Sequence, residues 1–180
     1  MLRKTPALAI MFALVVGVSS LACGGGTQTD TPQERAVITS PTGLNVTSAI
    51  SSVSLGESSA NVQLAFRAGA AADGANVEVV SVTLVDGATG NLVDTLKASA
   101  PQVWNGNGYV PWNQRVTPDG DLKASYQLTA PSWSTIDGSG TGSRSSSYSR
   151  SYKLRVNLRI DGVDVLMQST DLHREPVFQT

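Results

Sequence analysis

The feature that most constrains this chain is a pair of alternating runs joined by two residues. Tyr152, Leu154, Val156, Leu158 and Ile160 alternate with Lys153, Arg155, Asn157 and Arg159; after Asp161-Gly162, the apolar residues Val163, Val165 and Met167 recur at every second position. Successive strand side chains point to opposite faces, so a period of two buries one face and wets the other. A helix would instead repeat its apolar positions every three to four residues. Asp-Gly between two such runs predicts a hairpin with a type I′ turn, which needs positive φ at both central residues. The turn sets the register: Ile160 opposite Val163, Leu158 opposite Val165 and Val156 opposite Met167 on one face, with Arg159 opposite Asp164 on the other.

The same pattern runs through the preceding hundred or so residues. Val62, Leu64 and Phe66 alternate with Asn61, Gln63 and Arg67, and Leu122, Ala124, Tyr126 and Leu128 alternate with Lys123, Ser125, Gln127 and Thr129. A Val-rich run at 77–85 is interrupted by Glu78, Ser81 and Thr83. Gly56-Glu57-Ser58-Ser59 predicts a connection between strands at 50–55 and 62–67, and Asp86-Gly87-Ala88-Thr89-Gly90 one between 77–85 and 92–97. No helical apolar repeat of any length follows the first apolar run. The expected fold is all-β: an antiparallel, immunoglobulin-like sandwich of about seven or eight strands over 44–180. Within it, the Ser/Gly-rich stretch 134–150 is expected to be a disordered loop, because it offers little to bury beyond Ile136 and Tyr148.

The chain's beginning has a different character. Arg3 and Lys4 precede an apolar run from Ala7 to Val18, and small residues lead to Cys23. The run suits a secretion signal and is short for a spanning helix, which needs ~20 apolar residues. Residues 1–22 are therefore expected to be a signal peptide. Residues 23–43, opening with Gly24-Gly25-Gly26 and rich in Thr and Pro, are expected to be a flexible tether, unless Ala36-Val37-Ile38 adds an edge strand.

Ser20-Leu21-Ala22-Cys23 resembles the lipobox of bacterial lipoproteins, with Ala directly before Cys and Leu two residues before it, where that family more often has Leu three before. The resemblance implies a diacylglycerol thioether on Cys23, cleavage before it, and anchoring without a transmembrane helix. Gly24, where many inner-membrane lipoproteins of Gram-negative bacteria carry Asp, leans toward the outer membrane, facing the periplasm or the cell surface. A second resemblance lies in Val103-Trp104-Asn105-Gly106, Val116-Thr117-Pro118-Asp119-Gly120 and Ala124-Ser125-Tyr126-Gln127-Leu128. These are similar to the Ig-like module of flagellar hook-cap proteins and secreted-enzyme tails. That likeness implies a sandwich, with Trp104 packed, and modules of this kind serve as spacers and interaction surfaces.

Cysteine and charge narrow the function classes. Cys23 is the only cysteine, so the domain has no intrachain disulfide and no Cys-based metal site. The roughly 155 residues after it suffice for one core, since a domain of that size buries ~68–70% of its unfolded surface. Thirteen Lys and Arg against fourteen Asp and Glu give no field that would draw nucleic acid. The one histidine, His173, lies near the C-terminus with no nucleophile elbow to serve, so no catalytic residue is assigned and an enzyme is not expected. Asn105-Gly106-Asn107 and Asp119-Gly120-Asp121 could offer oxygens to calcium, yet neither matches the spacing of a calcium loop and both favour turns by themselves. No metal and no cofactor are assigned.

Two surfaces remain as binding candidates. Arg144, Arg150, Lys153, Arg155 and Arg159 occur without an intervening acid, and the strand face bearing Lys153, Arg155 and Arg159 could meet anionic lipid, lipopolysaccharide or an acidic polysaccharide. Tyr109, Trp112 and Trp133 fall outside the clean alternating runs and could form an exposed aromatic face. Together these readings point to a non-enzymatic lipoprotein, held to the membrane through lipid at Cys23, whose sandwich binds or braces another envelope protein. The alternative is a polysaccharide-binding module using the loop aromatics.

Overall fold

The Asp161-Gly162 connection folds as the alternation requires. Tyr152–Ile160 (β11) and Val163–Gln168 (β12) pair antiparallel, with Ile160 facing Val163, Leu158 facing Val165, Val156 facing Met167 and Arg159 facing Asp164. Asp161 and Gly162 have φ of 46° and 84°, both left-handed. The structure is a computed structural model and describes residues 29–41, 43–71, 73–138 and 145–176. The signal segment 1–22 and the lipidation candidate Cys23 lie outside the described residues.

Among the described residues, ten further strands precede this hairpin: β1 (Thr29–Gln33), β2 (Arg35–Thr39), β3 (Asn45–Leu55), β4 (Ser59–Ala68), β5 (Ala75–Asp86), β6 (Leu92–Leu96), β7 (Gln102–Trp104), β8 (Tyr109–Pro111), β9 (Arg115–Val116) and β10 (Asp121–Thr129). Two single-turn helices, α1 (Trp133–Ile136) and α2 (Ser145–Tyr148), lie between β10 and β11. The strands form two six-stranded sheets, one in the order β1-β12-β11-β5-β6 with β9 also on β5, the other β2-β3-β4-β10-β7-β8. Eight of them carry the immunoglobulin-type order. β3-β4-β10-β7 follow A-B-E-D, and β12-β11-β5-β6 follow G-F-C-C′. The fold is an all-β sandwich; the strands beyond the expected seven or eight are the short β1, β2, β8 and β9.

The alternating faces meet in one core. Leu154, Val156, Leu158, Ile160, Val82 and Leu84 from the first sheet pack with Val46, Leu64, Phe66, Ala124, Tyr126 and Leu128 from the second. A bulge in β5 sets Asn157 opposite Ser81 but Leu158 opposite Val79. The extra residue, Val80, is turned to solvent at 41% exposure, so the Val-rich run keeps Val77, Val82 and Leu84 inside while breaking strict alternation.

Tyr152 marks the start of the F-like strand, fully buried, and its hydroxyl donates to the Ser147 carbonyl five residues upstream at 3.4 Å. This is the arrangement of the tyrosine corner of immunoglobulin-type sandwiches. Leu154, two residues on, stands where antibody domains place a disulfide cysteine, and here it is simply a core leucine.

Two sequence boundaries are corrected. The expected tether 23–43 is partly sandwich: β2 pairs with β3 from Arg35↔Ala49 to Thr39↔Asn45, with Ala36 buried, and β1 pairs in parallel with β12. Edge strands need only one apolar face and backbone partners, so a short polar stretch suffices. The stretch 134–150, expected to be a disordered loop, has structured flanks: α1 follows Ser132, and α2 carries the buried Ser147. Residues 139–144 are outside the described set. No helix among the described residues is long and apolar enough to cross a membrane.

Candidate functional site

The three tryptophans are distributed differently from the sequence expectation. Trp104, expected in the core, is 58% exposed. Its neighbour Val103 faces Ala124 on the inner side of the sheet, so period two sends Gln102 and Trp104 outward. Trp112, expected to be an exposed anchor, is half-buried. Its ring lies 5.5 Å from that of Phe66, and its indole N–H donates to the Arg115 carbonyl at 3.2 Å. The cause is β9, which leaves the β7–β8 sheet and pairs with β5 in the other one. That crossover draws Trp112 over the open side of the core. Gly74 permits it, because a β-carbon there would collide with the Val116 carbonyl oxygen. Trp133 is 4% exposed and donates to the Gly56 carbonyl at 2.9 Å. Tyr109, Trp112 and Trp133 therefore do not form one exposed face.

A different aromatic pair is exposed. Trp104 and Tyr109 face each other across the β7–β8 hairpin, centroids 5.3 Å apart and planes at 71°. The four-residue loop between them is closed by Asn105, whose side-chain oxygen accepts from the backbone N–H groups of Asn107 and Gly108, both at 3.0 Å. Gly106 supplies φ of 101°. The Asn105 oxygen is thus engaged by the turn itself. The hairpin presents the two rings to solvent at an uncharged tip. Below Tyr109, on the outer face of the same sheet, lies an open groove of about 590 Å³ bordered by Asn61, Gln102, Ser125 and Gln127.

The basic strand face is largely paired. Arg159 makes a 2.8 Å bond to Asp164 and lies 3.8 Å from Glu78; the hydrogen bond to Asp164, then that carboxylate's charge, lifts the guanidinium's pKa. Lys153 is 3.6 Å from Asp171, and Arg155 donates to Gln168 at 2.8 Å. Cross-strand partners on β12 and beyond answer the stripe that Lys153, Arg155 and Arg159 form in sequence.

The cation that sequence reasoning missed is Arg174. It is 7% exposed, beside the exposed His173, and its guanidinium lies 4.7 Å from the Trp133 ring centroid and 4.4 Å from that of Tyr148. It donates to Asp137 at 3.0 Å, to the Ser147 hydroxyl at 2.8 Å and to Glu57. Burial alone would disfavour this charge. The bonds to Glu57 and Asp137 more than offset it, and the pKa lies above its ordinary value. Chemically this is a filled cation cage that fastens the C-terminal segment to both flanks of the 139–144 stretch. The one sequence signal for it was a pair of isolated aromatics, Trp133 and Tyr148, in a polar segment.

Among the described residues, no group of three or more His, Cys, Asp or Glu is placed to hold a metal ion. His173 donates from Nδ1 to the Arg150 carbonyl, 3.1 Å away. The chain matches no protein-family model and no curated protein. Among solved structures it is similar to an uncharacterised β-sandwich protein from Clostridium difficile 630, at 9% identity and a TM-score of 0.43, over 83% of this chain and 97% of that one.

Proposed function

We propose that this chain is a lipid-anchored protein of the cell envelope, leaning to the outer membrane, whose sandwich acts without catalysis as a binding or bracing module for another envelope protein. The observation that carries the proposal is Cys23, the sole cysteine, placed directly after Ser20-Leu21-Ala22 behind a basic and then an apolar segment. One acyl chain binds a bilayer only marginally, whereas the two or three chains of a lipoprotein anchor it stably. The anchored sequence leads within six residues to β1, which enters the sandwich alongside β12 with Thr29 level with Val165. That attachment holds one end of the domain near the bilayer and leaves its sheet faces free to meet a partner.

The test is metabolic labelling with radioactive palmitate, followed by fractionation. The wild-type protein is expected to carry label and to sediment with membranes. Cys23→Ala is expected to lose the label and to remain uncleaved or appear in the soluble fraction. Unchanged labelling and membrane association in the variant would refute the anchor. Cross-linking of the lipidated protein in intact envelopes, followed by mass spectrometry, then identifies the protein partner.

A glycan-binding module is the second reading, favoured by one observation: apart from Ala100, the groove beside Tyr109 is bordered by amide and hydroxyl side chains with no charged group among them.

A further inference from the structure

We propose that the outer face of the β4-β10-β7-β8 sheet is a binding site for a neutral polysaccharide strand, with Tyr109, backed by Trp104, as its aromatic wall and Asn61, Gln102, Ser125 and Gln127 as its polar floor. The site rests on the glycan-binding reading and gives it a location that keeps only Tyr109 of the three aromatics named from the sequence. It is independent of the anchor at Cys23.

Strand register brings the groups together. Ser125 lies opposite Gln102 on one side and Gln63 on the other, and Gln127 lies opposite Asn61. Tyr109 pairs with Trp104 on the adjoining hairpin. Period two puts the polar side chains on the outer face, because Ala124, Tyr126 and Leu128 take the inner one. The resulting groove of about 590 Å³ is open to solvent on one side.

The chemistry selects the ligand class. A sugar ring presents hydroxyls that both donate and accept, together with an apolar face of C–H groups. Asn and Gln side chains also donate and accept, and a serine hydroxyl rotates to do either. An aromatic face covers the C–H surface, and the edge-to-face contact with Trp104 favours one orientation of the Tyr109 ring, which lowers the ordering cost. An acidic glycan would call for cations in the floor, and none is among the residues that line the groove, although Lys123 follows one pair beyond Ser125 on the same face. An apolar protein segment or an acyl chain would call for an apolar floor, whereas five of the residues bordering it, Asn61, Ser99, Gln102, Ser125 and Gln127, carry amides or hydroxyls able to bond a ligand. Burying such groups without partners is costly, so an apolar occupant would lose affinity here.

The experiment is affinity electrophoresis of the purified full chain in non-ionic detergent, through native gels cast with β-glucan, glucomannan, galactomannan or dextran. At least one neutral polysaccharide is expected to retard the wild type, and high salt is expected not to abolish this. Tyr109→Ala is expected to weaken retardation on the order of tenfold, the loss of about 1.4 kcal/mol of binding. Ser125→Ala/Gln127→Ala is expected to weaken it similarly with the rings left intact, whereas a merely apolar surface would bind as well or better. These residues face outward, so thermal midpoints should hold. If the wild type is retarded but both variants are retarded equally, the glycan-binding reading survives and this site is wrong. If no neutral polysaccharide retards the wild type, or only an acidic one does so at low salt, or the rings bind phosphatidylcholine vesicles instead, both fall.

Discussion

At the scale of single residues, Trp104 and Trp112 show how much one crossover decides. Both sit in short segments between the long strands, where the sequence pointed to a packed Trp104 and an exposed Trp112. Trp104 lies on a strand whose other face is pinned by Val103 against Ala124, so it points to solvent. Trp112 is folded inward against Phe66 by the passage into β9. Trp112→Ala is therefore expected to destabilise the domain by roughly 2–4 kcal/mol, below the full cost of a buried tryptophan because the ring is half-buried. Trp104→Ala is expected to change stability by less than about 1 kcal/mol, since the exposed pair with Tyr109 contributes little to the core. Urea unfolding of the two variants followed by far-ultraviolet circular dichroism checks this; an early transition for Trp104→Ala with none for Trp112→Ala would reverse the assignment. Tyr126 makes a related point. Burial pushes its phenol well above the ordinary range, and its hydroxyl meets no protein acceptor among the described residues.

At the scale of elements, the connections carry their own determinants. In the β5–β6 turn the Asp86 carboxylate accepts from the Thr89 backbone N–H at 2.8 Å, the Thr89 hydroxyl at 2.9 Å and the Ala88 N–H at 3.1 Å. The Thr89 N–H first, then its hydroxyl, hold the Asp86 pKa below the ordinary carboxylate value. A folded-state pKa below the unfolded one means that the contribution is complete above the ordinary carboxylate range. It is lost as pH falls through the folded value. The thermal midpoint should therefore decline as pH drops through and below the carboxylate range. Asp86→Asn, which keeps an acceptor but cannot ionise, should give a shallower decline. Differential scanning calorimetry across that range measures both slopes, and identical slopes would remove Asp86 from the account. The β11–β12 turn is braced from a second strand as well: the Asp161 side chain accepts from the Asn76 N–H at 2.8 Å, tying the hairpin to the start of β5.

At the scale of the whole molecule, one core joins the two sheets, and Arg174 closes the end at which the core would otherwise meet water. Its partners come from three places: Glu57 after β3, Trp133 and Asp137 around α1, and Ser147 and Tyr148 in α2. The neighbouring Glu175 N–H donates to the Leu55 carbonyl at 2.9 Å, which extends the fastening along the backbone. Removing one member of a buried pair strands its partners. Arg174→Ala is expected to cost about 3 kcal/mol, the low end for a buried ion pair because Glu57 remains half-exposed. Limited proteolysis should then cut within 134–150 or after 170 much faster than in the wild type. A variant as resistant as the wild type would mean that the cage is dispensable.

What the sequence determined by itself was everything that backbone geometry decides locally. Period-two alternation fixes which face of β4, β10 and β11 is buried, and Asp161-Gly162 fixes the β11–β12 register to the residue. These follow from two or three neighbouring residues and need no partner to be specified. Tertiary structure alone decided the rest, because the deciding partners are distant in the chain. Arg174 reads as part of a solvated charged tail until Asp137, 37 positions away, and Glu57, 117 positions away, are brought against it. Lys153 reads as a solvated cation until the segment after β12 lays Asp171 beside it, whereas the Arg159–Asp164 pair already follows from the hairpin register. The polar groove beside Tyr109 exists in no single segment, since β4, β7, β8 and β10 each contribute to it. Hydrogen bonds and ring contacts act over a few ångströms of space, and only the folded chain decides which residues come within that distance.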